Sequence, residues 1–101
     1  MKASSYPFEK FFNAVSGMAT STQPLRDRIA SASSSFIAVK ESDFKDPDAL
    51  AAYRDLMERF RKVQDPNRGS IKASLEAMTD KEVREAGDLI VSILHHLILA
   101  D

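Results

Sequence analysis

The chain has 101 residues, with 14 Lys and Arg against 15 Asp and Glu, no Cys, no Trp and 44% hydrophobic residues. That length supports a single domain over residues 1–101, because a second would lack the residues to bury a core of its own. The missing thiols exclude a disulfide framework, a thiolate metal site and a cysteine nucleophile, and a net charge of −1 removes the simplest argument for nucleic-acid binding, a strongly basic domain.

Behind Lys2 there is no apolar run, so the start does not read as a secretory signal and the expected compartment is the cytoplasm. Pro7 suits the first turn of a helix, where its missing N–H costs nothing. Phe8, Phe11, Phe12, Val15 and Met18 then share one broad side, which predicts a first helix ending between Gly17 and Ser21. Of its aromatic residues, Phe8 and Phe12 are expected in the core with Val15. Phe11, about 100° away from Phe12, is expected at the core's edge, where exposed rings can anchor an interface.

Thr22 followed by Pro24 reads as the cap and first turn of a second helix, along which Leu25, Ile29, Ala32, Phe36 and Val39 recur at helical spacing. The serine-rich run Ser31 to Ser35 has poor helix propensity and argues against a straight, continuous element. Asp46 and Pro47 repeat the cap-and-proline signature and open a third helix holding Ala49, Tyr53, Leu56, Phe60 and Val63. Asp65-Pro66-Asn67-Arg68-Gly69 must end it, and Ser70 is placed to cap a short helix with Ile71, Leu75 and Met78. Thr79 and Glu82 have capping-box spacing and start a last helix that runs nearly to Asp101.

On that last helix Lys81, Glu85, Asp88, Ser92 and His95 form one narrow polar stripe, and apolar residues cover most of the remaining surface. Its apolar stretch from Leu89 to Ala100 is well short of the roughly 20 residues a membrane span needs. Packing on a single neighbour uses an apolar face of only about 100°, so this helix must be covered on at least two sides, by the chain's other short helices or, the reading favoured here, by a second copy. The predicted fold is therefore all-α: a four-helix bundle-like domain with an additional short helix, completed by homodimerisation. The residues expected at the dimer or partner interface are Phe8, Phe11, Phe12, Ile90, Leu94, Leu97 and Ile98.

Catalytic signatures are weak. His95 and His96 are adjacent and point about 100° apart, whereas two imidazoles sharing a metal on one helix need i,i+3 or i,i+4 spacing. Ser92 is within one turn of both, yet a regular helix supplies no oxyanion donors, since its amides are already bonded. Gly17, Gly69 and Gly87 are too far apart to form a phosphate loop. Asp46 and Asp48 are accounted for by the favourable charge at a helix N-terminus. No enzyme, metal or cofactor is expected.

Charge is segregated. Residues 59–72 carry Arg59, Arg61, Lys62, Arg68 and Lys72 against Asp65 alone, while 41–58 and 73–101 are each net acidic by four. A helix-turn-helix built on the last helix would present Glu82, Glu85 and Asp88 to the major groove, the wrong sign for DNA. The expected function is non-catalytic binding to another, unidentified protein as a regulator, inhibitor or adaptor that covers a partner surface, with a second copy of the chain as a further partner. The alternative is a nucleic-acid-binding regulator that uses the basic patch of residues 59–72.

Overall fold

The computed structural model describes residues 5–100, and every regular element among them is helical: α1 (Tyr6–Thr20), α2 (Leu25–Phe36), α3 (Pro47–Phe60), α4 (Ser70–Ala77) and α5 (Asp80–Leu99), with a 3₁₀ turn at Glu41–Asp43. No helix is long and apolar enough to cross a membrane among these residues. The element order matches the predicted one, and the differences lie in caps, ends and one helix face.

Ser5 caps α1 by accepting the Phe8 N–H at 3.3 Å. The buried face of α1 is Pro7, Phe11, Ala14 and Met18, spaced four, three and four apart. This reverses the expected order of its aromatics: Phe11 is wholly buried, Phe12 is 52% exposed, and Phe8 stacks on Phe12 with centroids 5.9 Å apart. Only part of the broad apolar side faces the core, the strip that includes Phe11 and Ala14. Small Ala14 lets α1 approach its neighbours closely, and Phe11 fills the space beside it.

The cap of α2 is Pro24, not Thr22, and its first helical residue is Leu25; Ser21 holds the preceding turn by accepting the Gln23 N–H at 3.1 Å. The serine run stays helical, with Ser33 and Ser34 donating to the carbonyls of Ala30 and Ser31. α2 ends at Phe36, so Val39 is buried beyond the helix, where its carbonyl accepts the Tyr53 hydroxyl at 2.6 Å. That burial pushes the Tyr53 phenol pKa upward.

Asp46 caps α3 as expected, accepting the Ala49 N–H at 2.9 Å. The helix stops at Phe60, earlier than expected, and Val63 is off it and exposed. The buried Ser74 hydroxyl explains the stop: it donates to the Phe60 carbonyl at 2.9 Å and accepts the Val63 N–H at 3.0 Å, offering the chain an alternative to another helical turn. Asp65 then turns the chain by accepting the Asn67 and Arg68 N–H groups, and those bonds lower its pKa. Gly69, at φ 86°, is the cap of α4; Ser70 is its first helical residue. Arg26 reaches from α2 to the other end of α4, donating to the Leu75 and Met78 carbonyls at 2.8 and 2.7 Å.

The Thr79 and Glu82 capping box forms as expected and opens α5. α5 buries Val83, Ala86, Gly87, Ile90, Ile93 and Leu97, packing against α1, α2 and α3. Most of its wide apolar surface is thus covered within the chain, and Val91, Ile98 and Leu99 are left exposed. The core is continuous, with the rings of Phe11 and Phe36 stacked at 4.6 Å, Phe36 and Phe60 at 6.5 Å, and Phe11 edge-on to Tyr53 at 5.9 Å.

Candidate partner-binding groove

The five basic residues of the 59–72 segment separate into two groups once α3 has ended. The Arg59 guanidinium is held by Asp55 at 3.0 Å and by Glu85 of α5 at 3.1 Å, and these hydrogen bonds raise its pKa and fix its charge on its own acids. Arg59 and Lys62 border a small cleft of about 120 Å³ that also contains Glu82. Arg61, Arg68 and Lys72 border a different one. The single basic patch read from the sequence is therefore not one surface.

This second cleft is a groove of about 470 Å³ between α2, α3 and the start of α4. Its apolar lining comes from Ala30 and Ile37 on the α2 side, Met57 and Phe60 on α3, and Ile71 on α4. Ile37 is 58% exposed just past the end of α2, which makes it the most accessible apolar side chain of the groove. Arg68 is paired with Asp65 and Glu76. Arg61 and Lys72 make no ion pair among the described residues, so their charge is available to an incoming group. Sequence reasoning found these cations but missed Ile37, Met57 and Ile71 as their apolar companions. The missing signal was the early end of α2 and α3, which turns Ile37 and Arg61 toward α4.

The residues expected at a dimer or partner interface also divide. Phe11, Ile90 and Leu97 are buried in the core of their own chain, whereas Phe12 and Ile98 are about half exposed and Phe8 and Leu94 partly covered.

His95 and His96 part as their adjacency requires, with rings 6.1 Å apart. His95 is exposed, while His96 is half-buried beside Asp46 and Asp48 at the start of α3. Sequence reasoning set these histidines aside on their spacing and left Asp46 and Asp48 to the helix N-terminus. The juxtaposition depends on the packing of α3 against α5, which no local spacing encodes.

No protein-family model, curated protein or solved structure matches this chain.

Proposed function

We propose that this protein is a non-catalytic binding module, a small regulator, inhibitor or adaptor that covers a surface of another protein. The observation that carries this reading is the α2–α3–α4 groove, in which an apolar floor is edged by Arg61 and Lys72, cations that make no ion pair among the described residues. A groove with that pattern suits an amphipathic helical segment with acidic flanks: its apolar side chains displace water from Ile37, Met57 and Ile71, and its carboxylates meet the rim. In the same reading, a second copy covers the exposed remainder of α1 and α5, Phe8, Phe12, Leu94 and Ile98 together with Val91, and completes the bundle-like arrangement. Nucleic acid fits less well, because the basic residues occupy two faces and one of them includes Glu82.

A synthetic amphipathic peptide with a leucine face flanked by glutamates tests the groove by fluorescence anisotropy. Saturable binding is expected, with loss of about tenfold or more in an Arg61→Glu, Lys72→Glu double variant and in Ile37→Lys. Equal affinity for a scrambled peptide of the same composition refutes the reading. So does displacement of the peptide by a DNA duplex at physiological salt.

A further inference from the structure

We propose that Asp46, Asp48 and His96 form a divalent-metal site that clasps the start of α3 to the end of α5, and that zinc is the ion their donors suit. One ligand atom from each of the three lies within 4.8 Å of the others. Two carboxylates at a helix start are explained by the helix alone. The last turn of α5 favours a histidine in the same way, but its half-buried placement against the start of α3 is not set by α5 alone. Among the described residues no ion pair joins the imidazole to either carboxylate, so no direct contact between these groups accounts for the placement.

The donor chemistry selects the ion. One neutral imidazole nitrogen and two carboxylate oxygens make a borderline nitrogen and oxygen set, which zinc accepts at bonds of about 2.0–2.2 Å with low coordination number. Calcium is bound by oxygen ligands, in larger number than this site supplies. Asp46 is already oriented: one of its oxygens accepts the Ala49 N–H at 2.9 Å, which leaves the other for a metal. That backbone bond holds a ligating carboxylate as outer contacts do in established metal sites. Asp48 is exposed and turns on its own side-chain torsions, and the half-buried His96 ring turns on its own, to close the remaining distances. Three protein ligands leave the rest of the coordination sphere to water.

Isothermal titration of the purified chain with zinc chloride, after chelator treatment, tests the site. One ion per chain is expected, and a hundredfold excess over Kd raises the ratio of folded to unfolded protein by about a hundredfold, a rise in Tm on the order of 10 °C. His96→Gln and Asp48→Asn weaken binding by about tenfold or more, as does Asp46→Asn, in which the asparagine keeps the helix cap while the charge is lost. His95→Gln leaves affinity unchanged, and far-UV circular dichroism confirms that each variant folds. The absence of saturable binding overturns the proposal. An unchanged affinity in His96→Gln also overturns it, as does an equal loss in His95→Gln, which indicates capture by the exposed histidine pair.

Discussion

Replacing Gly87 by alanine should stabilise this protein, although the residue is buried where α5 meets α2. A Cβ built there meets the Ile29 Cδ1 at 3.6 Å and the Leu25 methyls at 3.9 and 4.0 Å, all ordinary van der Waals contacts. The position is mid-helix, where glycine is less favourable than alanine by about 0.8–1.0 kcal/mol. Burial of the added methyl contributes up to about 0.8 kcal/mol more. The expected gain is therefore about 1–1.5 kcal/mol, or roughly 4–10 °C in Tm for a domain of this size. Gly17→Ala supplies the control: it lies in α1 with nothing within 4 Å of the new Cβ, so it gains the helix term alone. Gly69→Ala has the opposite sign, since φ 86° with ψ 148° is a conformation close to glycine-only, which costs an L side chain about 1–3 kcal/mol. Urea denaturation followed by far-UV circular dichroism ranks the three variants. A destabilised Gly87→Ala refutes the reasoning, because it means that α2 and α5 approach too closely to admit a methyl group.

Two further perturbations address the polar contacts that set helix ends. Ser74→Ala removes the hydroxyl that serves both Phe60 and Val63 and leaves those backbone groups short of a partner; a loss of about 1–3 kcal/mol is expected by denaturant titration. Stability should also fall on the acid side. The Thr79 amide and hydroxyl hold the Glu82 carboxylate below its usual pKa of 4.5, and backbone amides do the same for Asp65 below 3.8. A carboxylate depressed by folding stabilises above its unfolded pKa and loses that contribution as pH falls through the folded value. Thermal melts should therefore weaken from about pH 4.5 downward, and Glu82→Gln should flatten the upper part of that decline.

How far these features could be read from the chain depended on how local they are. Asp46 before Pro47 and Thr79 three residues before Glu82 fix helix starts through contacts spanning three residues, and both formed as read. The end of α3 was not legible, because it is decided by Ser74, which lies 14 residues beyond Phe60. Phe11 and Phe12 were misassigned for a related reason. Both are apolar neighbours on one helix, and only the tertiary packing that brings Phe36 of α2 and Tyr53 of α3 against it selects Phe11. The candidate groove was half legible: its cations stood out as a charge run, while its apolar lining required knowing where two helices stop. The Asp46, Asp48 and His96 cluster lay furthest from sequence reasoning, since Asp46 and His96 are 50 residues apart in the chain.

The stacked rings of Phe11, Phe36 and Phe60 come one each from α1, α2 and α3, and they touch in series. Each ring therefore takes part of its cover from a helix other than its own, and withdrawing any one of those helices exposes a neighbour's aromatic face to water. Such an arrangement has little room for a half-folded form, and the unfolding of this small domain is accordingly expected to proceed as a single cooperative event. Of the two tyrosines, Tyr53 lies edge-on against that series with its hydroxyl bonded to Val39, whereas Tyr6 is exposed. With no tryptophan to mask it, the near-ultraviolet signal of one phenol reports the integrity of the whole stack.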